Sequence, residues 1–401
     1  MTDAVDLFAG PGGWSEGLRR LGLRDLGVEH GAAECATRYA AGHASWHQDV
    51  STVNSEAIAA LFGGVPGLIA SPPCPKFSAA GDGEGRQHLP ALCGAVDAGD
   101  WSARPSDDPL IWLALEVGRW AEAMDPEWIA CEQVLEVLPL WRAYETWLRA
   151  RGYSTWSGVL CAADYGVPQT RRRAILMASR VRAVSPPEPT HAKDPQPTLF
   201  GELLPWVSMA DALGWNENDR LGYKRGAGAA ERHGSRPSRP ATARRRIRMG
   251  PQKNATVRSA DEPSPTVLAS LDNGGAVWLR THQRPERASG EYQRRRADLP
   301  APTISTNVGA WAWERPATTV CADPRIGRPG HKDREGGEAQ FATDAVKVTI
   351  EEASILQDFP PDYPWQGNRS ERWTQAGNAV PPGLAAAVVG ALTERRMTWR
   401  I

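Results

Sequence analysis

The amino-terminal segment most constrains the fold, because an apolar strand runs directly into a glycine-rich turn and then a helix. Residues 4–8 are predicted to be a buried strand, residues 10–13 are Gly-Pro-Gly-Gly, and Trp14, Leu18 and Leu21 recur at helical spacing. Glycines after a strand let the backbone approach a ligand, as in nucleotide sites. The segment matches neither G-x-G-x-x-G nor a P-loop, so it predicts a Rossmann-like ligand site of unspecified type. A turn that needs glycine only for its own geometry is the alternative.

Further strand-like runs alternate with helical patterns over the first half of the 401-residue chain. Strands are predicted at residues 26–29, 67–70 and 128–132, and a helix at residues 110–124. This alternation favours a mostly parallel sheet with helices on both faces, and a chain of this length has room for two or three domains. We therefore expect an α/β fold, with a last helix at residues 384–397 that returns to the sheet.

Basic residues are concentrated in the middle of the chain, although the total charge is only −1. Residues 1–179 hold 14 basic and 22 acidic residues, whereas residues 180–345 hold 26 basic and 19 acidic ones. Twelve of those cations lie between Arg220 and Arg258, with a single acid among them. Such asymmetry favours a polyanion as the partner of the basic part, although a solvated basic surface would have the same composition.

Composition argues against several other classes of protein. The mean hydropathy is −0.44, and we find no run of about 18 apolar residues that could span a bilayer. The six cysteines include no C-x-x-C pair, which argues against a zinc ribbon or a disulfide framework and fits a reducing cytosol. Residues 186–206 are rich in proline and are predicted to be a linker or a domain edge.

Four further segments carry side chains suited to chemistry. Cys74 follows a predicted strand within Ser-Pro-Pro-Cys-Pro, where the prolines would hold an exposed nucleophile, although a lone cysteine is more often a small buried residue. Glu132 ends another strand and could donate or accept a proton. Arg171 and Arg173 lie on one side of an extended segment and suit phosphate or polar base edges. A Gly-Asn turn at residues 377–378 precedes the last helix.

Together and in this order, these segments resemble the successive signatures of the C5-cytosine-specific DNA methyltransferase family. The matching segments are DLFAGPGG, SPPCPKFS, EQV, DYGVPQTRRR and GNAVPP, within about residues 1–180 and 314–401. The resemblance implies a Rossmann-like, S-adenosylmethionine-dependent methyltransferase sheet with helices on both faces, plus a smaller, mostly β or irregular target-recognition domain. The expected catalytic and cofactor-binding domain is residues 1–180 completed by 346–401, and the expected DNA-binding domain is residues 181–345.

The resemblance also assigns roles to single residues. Cys74 would be the nucleophile that adds to C6 of a flipped-out cytosine, and Glu132 the acid that hydrogen-bonds N3 and the exocyclic amine. Arg173 would contact the base and its backbone, with Arg171 and Gln169 supporting the loop. The predicted catalytic set is therefore Cys74, Glu132, Arg171 and Arg173.

The implied methyl donor is S-adenosylmethionine, and no metal is expected. The donor-binding residues that the resemblance implies are Phe8, Gly10, Gly12, Glu29, His30, Asp49, Pro73 and Asn378. The predicted DNA-binding residues are Gln169, Arg244, Arg245, Arg246 and Arg248.

Four positions depart from the family pattern. Pro75 stands where the family usually has glutamine after the nucleophile, and Gln133 where it usually has asparagine. His30 replaces the aromatic residue that often stacks on adenine. Lys76 places an unusual charge two residues after Cys74; it either contacts a phosphate or favours a donor or product with negative charge.

The resemblance predicts a sequence-specific DNA (cytosine-5) methyltransferase acting on double-stranded DNA. It would be a monomer in the cytoplasm of a bacterial or phage-infected cell, serving restriction-modification or protecting viral DNA. A tRNA cytosine-C5 methyltransferase would share the motifs, but the large Arg-rich insert favours DNA. Intact Cys74, Glu132 and Arg173 argue against a non-catalytic DNA-binding relative, and the missing G-x-G-x-x-G argues against a nicotinamide-dependent oxidoreductase.

Overall fold

The structure of the chain is a computed structural model. It describes residues 2–73, 75–77, 83–195, 197–198, 201–214, 220–224, 277–281, 292–296, 313–314, 345–346 and 349–395. The predicted nucleophile Cys74 and the predicted DNA-binding residues Arg244, Arg245, Arg246 and Arg248 lie outside the described residues.

Seven strands form the central sheet, in the order β3-β2-β1-β4-β5-β7-β6. They are β1 (Ala4–Leu7), β2 (Asp25–Glu29), β3 (Ala44–His47), β4 (Gly67–Ala70), β5 (Trp128–Gln133), β6 (Ser154–Cys161) and β7 (Arg172–Ser179). The pairs from β3 to β5 are parallel, whereas β7 pairs antiparallel with both β5 and β6. The strand order reverses between β1 and β4, and ligands bind at such a point in open α/β sheets.

Helices cover both faces of this sheet. In chain order they are α1 (Gly13–Arg20), α2 (Ala32–Ala40), α3 (Ser55–Phe62), α4 (Glu84–Ala98), α5 (Pro109–Trp112), α6 (Glu116–Met124), α7 (Leu138–Arg149), α8 (Met209–Leu213), α9 (Ile350–Leu356), α10 (Arg369–Asn378) and α11 (Pro382–Thr393). Short 3-10 turns occur at Val50–Thr52, Leu113–Leu115, Leu135–Val137 and Ala162–Tyr165.

The period-two alternation of the buried strands divides the apolar core into two layers. In β1, Val5 and Leu7 pack into the layer formed with α3, α4, α6 and α7, while Ala4 packs into the layer formed with α1 and α11. Both layers consist of fully buried side chains. The α/β fold class predicted from the sequence is confirmed.

The last helix returns to the start of the chain, where α11 packs against α1. Gly17 makes this contact possible, because a Cβ there would lie 2.6 Å from Ala385 Cβ. The preceding turn is equally close, since a Cβ on Gly13 would lie 2.1 Å from the Val380 carbonyl oxygen. Tyr363 adds a hydrogen bond from its hydroxyl to the Pro11 carbonyl, at 2.6 Å. The carboxyl-terminal segment therefore braces the glycine-rich turn.

The helix predicted at residues 110–124 is interrupted, and Tyr144 provides the physical reason. Its hydroxyl donates to the Ala114 carbonyl at 2.9 Å and accepts from the Gly118 amide at 3.2 Å. These are the two groups that an uninterrupted α-helix would join directly. The inserted hydroxyl satisfies both while the backbone changes to a 3-10 turn at Leu113–Leu115.

The proline-rich stretch predicted as a linker lies against the turn at Ala162–Tyr165. Asp164 holds it twice: its carbonyl accepts the Thr190 amide at 2.9 Å, and its carboxylate accepts Trp206 Nε1 at 2.9 Å. Tyr165 donates its hydroxyl to the Pro187 carbonyl at 3.0 Å. The segment is therefore tied to the loop that leads into Arg171 and Arg173.

Within this stretch and after it, the described residues include short strands. They are β8 (His191–Ala192), β9 (Pro197–Thr198), β10 (Gly201–Glu202), β11 (Leu204–Pro205), β12 (Arg220–Lys224), β13 (Val277–Thr281), β14 (Tyr292–Arg296), β15 (Trp313–Glu314) and β16 (Ala345–Val346). Strand β12 lies between β13 and β14, antiparallel to both. The run Arg294–Arg296 therefore pairs with residues 220–222 in a small β-sheet. The domain boundaries remain a prediction.

A buried ion cluster lies beneath the glycine-rich turn. Arg38 is fully buried; its Nη2 lies 2.9 Å from Asp25 Oδ2, and its Nη1 lies 3.9 Å from Asp6 Oδ2. Gly27 leaves room for this guanidinium, because a Cβ there would lie 2.2 Å from Arg38 Cζ. Burial alone would lower the pKa of Arg38, but Asp25 and Asp6 raise that pKa overall. The guanidinium is therefore charged and holds two buried carboxyl groups together.

One stretch, Arg369–Thr393, is long and apolar enough to cross a membrane by length and composition alone. It consists of two helices, α10 and α11, and 72% of its most apolar window is buried inside the protein. A core helix shows burial of this kind, so the stretch is weak evidence for a membrane span.

Candidate active site

A cavity of about 330 Å³ opens at the carboxyl ends of β1, β2, β4 and β5. Its size is within the range of small-molecule sites, and its position is the point where the strand order reverses. The residues that line it are Phe8, Ala9, Gly10, Pro11, Gly13, Trp14, Glu29, His30, Gly31, Glu34, Ser71, Pro72, Pro73, Pro75, Glu132, Gln133, Val134, Arg171, Arg173, Gln375, Asn378, Ala379 and Val380. The cavity thus unites segments that are far apart in the sequence.

The glycine-rich turn forms one wall with a strained backbone. Phe8 adopts φ +57° and Gly10 φ +53°. The left-handed region costs a non-glycine residue on the order of 1–3 kcal/mol, and such strain concentrates at ligand sites. A Cβ on Gly10 would meet only the Phe8 carbonyl oxygen, at 4.0 Å. The backbone beside this glycine is therefore open to a ligand.

Glu29 joins this turn to the next loop. Its buried carboxylate accepts the Gly10 amide at 2.9 Å and the Gly31 amide at 2.7 Å. His30 Nδ1 lies 3.2 Å from the same carboxylate, with an imidazole that is 75% exposed. A carboxylate has about four acceptor positions, so Glu29 can hold both loops and still accept hydroxyl groups from a ligand.

Glu132 and Arg173 form the polar centre of the opposite wall. Both are buried, and Arg173 Nε lies 2.8 Å from Glu132 Oε1. The contact has the distance of an ion pair, although Glu132 Oε1 makes no hydrogen bond of good geometry with the described residues. The carboxylate therefore keeps acceptor positions that a ligand in the cavity could use.

Arg171 lies beside this pair but binds the end of a helix. Its Nη1 donates to the Gly377 carbonyl at 2.8 Å, and its Nη2 donates to the Asn378 carbonyl at 3.2 Å. These are among the last carbonyls of α10, where a cation is favourable. Arg171 therefore holds the end of α10 beside the cavity that both Arg171 and Asn378 line, and its catalytic role stays a prediction.

Cys74 lies outside the described residues, but both of its neighbours in the chain, Pro73 and Pro75, line the cavity. Gln133 ties this loop to β5, because its side-chain amide donates to the Pro72 carbonyl at 2.8 Å. The departures Pro75 and Gln133 therefore both lie at the cavity wall, and Gln133 supports the loop directly.

The cysteines that the structure describes are poor nucleophiles. Burial raises the pKa of the Cys35 and Cys161 thiols to about 11, and it also raises the pKa of Cys93 and Cys131. Because the thiolate is the reactive form, these four side chains are unsuited to attack at neutral pH.

Three other predicted site residues, Gln169, Gly12 and Asp49, are not among the residues that line the cavity. Gln169, predicted at DNA, is fully buried and donates to the Leu356 carbonyl at 3.2 Å; its contact with DNA stays a prediction. Gly12 does not line the cavity, because a Cβ there would face His43 Cδ2 at 2.9 Å. Asp49 is also absent from the cavity wall, and its carboxylate caps the turn at Val50–Thr52.

Lys76 makes ion pairs away from the cavity wall. Its Nζ lies 2.9 Å from Asp108 Oδ2 and 3.1 Å from Glu84 Oε2. These contacts fasten the segment after Pro75 to the starts of α4 and α5. Lys76, on which the charged-donor alternative depends, is not among the described residues that line the cavity.

Sequence reasoning missed three polar residues of the wall: Trp14, Glu34 and Gln375. Trp14 Nε1 donates to Ser71 Oγ at 2.8 Å and so joins α1 to the end of β4. Glu34 stands in the first turn of α2. The sequence did contain a signal for Glu34, because it is an acid in the first turn of the helix that follows β2. The first turn of such a helix lies at the edge of the sheet where ligands bind.

Among the described residues, no group of histidine, cysteine, aspartate or glutamate side chains could hold a metal ion.

Solved structures with this architecture are methyltransferases. A DNA modification methyltransferase encoded within an Escherichia coli prophage aligns over 98% of this chain and 99% of its own, with a TM-score of 0.52 and 16% identity. The Dnmt2 methyltransferase of Schizosaccharomyces pombe aligns over 98% of each chain, with a TM-score of 0.53 and 13% identity. The fold is therefore the Rossmann-like α/β fold that these two methyltransferases share.

The family follows from the sequence comparison. The model of the C-5 cytosine-specific DNA methylase family matches residues 2–394, and this chain belongs to that family. Type II methyltransferase M.AgeI of Thalassovita gelatinovora is 24% identical over 96% of this chain and 97% of its own length. Type II methyltransferase M.DdeI of Desulfomicrobium norvegicum is 24% identical over 98% of this chain and 88% of its own. The predicted family and the DNA (cytosine-5) methyltransferase activity are confirmed.

Proposed function

We propose that this enzyme methylates C5 of a flipped-out cytosine in double-stranded DNA through a covalent bond to Cys74. The observation that supports this most is the single cavity. It unites the Glu132–Arg173 pair, the two prolines that flank Cys74, and the glycine-rich wall held by Glu29. A thiolate cannot reach a ring carbon inside a duplex, so the base must leave the helix at a cost of a few kcal/mol.

The residues of the glycine-rich wall fit S-adenosylmethionine. The open backbone at Gly10 suits the closely approaching donor, and the remaining acceptor positions of Glu29 suit ribose hydroxyls. Phe8, His30, Pro73 and Asn378 line the same cavity, which supports their proposed donor contacts. When bound, S-adenosylmethionine supplies the methyl group.

The protein residues would carry the remaining chemistry. The Cys74 thiolate forms a bond to C6, while Glu132 gives a proton to N3, so that the electron pair released from the C5–C6 double bond makes C5 nucleophilic. Arg173 holds the Glu132 carboxyl and the base in register. After C5 is methylated, the C5 proton leaves to solvent, the double bond re-forms, the C6–sulfur bond breaks and N3 returns its proton to Glu132. Cys74 is then a thiolate again.

DNA reading is assigned to the basic region of residues 181–345. Arg244, Arg245, Arg246 and Arg248 would neutralise phosphates, which gives affinity without sequence information. We propose that residues 181–345 also supply the contacts to base edges and so recognise a specific DNA sequence.

The biological setting is proposed from the relatives. The matched relatives M.AgeI and M.DdeI are named type II methyltransferases, which favours a restriction-modification role; protection of viral DNA would use the same chemistry. We propose that the enzyme acts as a cytoplasmic monomer, without a metal ion or membrane attachment.

Transfer of labelled methyl groups tests this function. Wild-type protein with methyl-labelled S-adenosylmethionine should label duplex DNA, in which hydrolysis then yields 5-methylcytosine, and should leave tRNA unlabelled. Cys74→Ser should give no label, because a hydroxyl is a far weaker nucleophile than a thiolate at neutral pH. Label in tRNA instead of DNA would favour the tRNA alternative, and no label in either would contradict the proposal.

A further inference from the structure

Glu34 has no role in the function proposed so far, although its side chain belongs to the cavity wall. It stands in the first turn of α2, one turn beyond Glu29 and Gly31. An acid in the first turn of a helix is favourable for the helix dipole alone. Because Glu34 also lines the cavity, its carboxyl group could contact a bound ligand.

The local backbone brings Glu34 close to Glu29. Gly31 separates them, and a Cβ on Gly31 would lie 2.2 Å from Glu34 Oε2 and 3.2 Å from Glu29 Oε1. The absence of a side chain at Gly31 therefore lets two carboxyl groups converge on one small volume at the cavity. Glu29 is held there by the amides of Gly10 and Gly31.

Charge around this volume is predominantly negative. Glu29 and Glu371 of α10 both act on Glu34 and raise its pKa, while His30 acts in the opposite direction. The guanidinium groups of the other wall are engaged, since Arg173 pairs with Glu132 and Arg171 binds the end of α10. The wall around Gly31 is therefore suited to a ligand that carries positive charge.

S-Adenosylmethionine carries such a charge on its sulfonium, whereas S-adenosylhomocysteine, the product after transfer, has a neutral thioether. We propose that Glu34 is a donor-binding residue whose carboxylate favours the cationic donor over the neutral product. The proposal rests on the donor site described under Proposed function. It assigns Glu34 to electrostatic discrimination, while Glu29 anchors the loops and the ribose.

Equilibrium binding measured by calorimetry tests this role without turnover. Glu34→Gln keeps the size of the side chain and an acceptor oxygen for the first turn of α2. It should weaken S-adenosylmethionine about fivefold, the effect of one screened charge contact at a half-exposed site. Binding of S-adenosylhomocysteine should change less than twofold. Glu56→Gln is the matched control, because Glu56 is an exposed first-turn acid of α3 outside the cavity wall.

The pH dependence gives a second readout. Burial raises the pKa of Glu34, Glu29 and Glu371 raise it further, and His30 together with the Glu34 backbone amide lowers it. As the pH falls through this raised pKa, the wild type should lose affinity for the donor relative to the product. In Glu34→Gln this ratio should be independent of pH over the same range.

Two outcomes would overturn the role of Glu34: equal weakening of donor and product, or no weakening of either. Failure of the proposed function would be distinguishable, since the wild-type protein would then bind neither compound. That result would remove the donor site itself and the Glu34 proposal with it.

Discussion

Glu132→Gln should lower the turnover number for DNA methylation by about three orders of magnitude, within the range of general acid–base catalysis. The glutamine keeps the size of the side chain but has no proton to give to N3 of cytosine, so C5 would stay a poor nucleophile. Arg173 would also lose the charged partner that lies 2.8 Å from its Nε. The measurement is single-turnover methyl transfer at saturating donor and duplex.

The matched control is Glu127→Gln, which changes an exposed carboxylate just before the opposite end of β5. It should leave the transfer rate within about twofold of the wild type, since surface substitutions rarely perturb a protein by more than about 0.5 kcal/mol. Both variants should melt near the wild-type temperature. A Glu132→Gln enzyme with near-wild-type turnover would contradict the proton-donating role.

Arg38→Met should lower the free energy of unfolding by about 3–5 kcal/mol, the usual cost of removing one partner from a buried ion pair. The thioether fills much of the space, but Asp25 and Asp6 would remain buried without their cation. Arg38 also donates to Ser45 Oγ at 2.9 Å and to the Ala44 carbonyl at 3.0 Å. Unfolding in denaturant would measure the free energy of unfolding of Arg38→Met and of the wild-type protein.

Arg24→Met is the control for Arg38→Met, because Arg24 is exposed one residue before Asp25. It should shift the unfolding midpoint by only a small amount. Adding Asp25→Asn to Arg38→Met should cost less than the sum of the two single changes, since each single change strands a buried charge. Equal midpoints for Arg38→Met and wild type would show that the cluster contributes nothing to stability.

Four of the seven strands, β1, β2, β4 and β5, could be predicted from local sequence because they are short, buried and mostly apolar runs. The strand predicted at residues 67–70 has those bounds in the structure. The helix predicted at residues 110–124 was wrong in its middle, because the hydroxyl that interrupts it comes from Tyr144 on another helix. A side chain that arrives from distant sequence leaves no local pattern.

The site could be predicted only in part for the same reason. Phe8, Gly10, Glu29 and Glu132 follow strands directly, and the strand ends bring them to one cavity. The burial of Gln169 depends on carbonyls nearly two hundred residues away, which spacing cannot indicate.

Other parts of the site depend on contacts between distant segments. Arg171 resembles a catalytic residue in sequence, yet its partners are the last carbonyls of a helix near the end of the chain. Glu34 was missed because a first-turn acid normally serves its own helix. Its carboxyl group can lie at the cavity because Gly31 has no side chain, and a Cβ there would lie 2.2 Å from Glu34 Oε2.

Covalent trapping tests the central claim most directly. A duplex that carries 5-fluorocytosine at the target position should form a stable complex with the enzyme and S-adenosylmethionine, because fluorine at C5 cannot leave as a proton does. Peptide mapping should place the bond on Cys74. Cys93→Ser should trap normally, since burial raises the pKa of that thiol, and Cys74→Ser should not trap. Recovery of uncrosslinked protein alone, or a bond to another residue, would contradict the account.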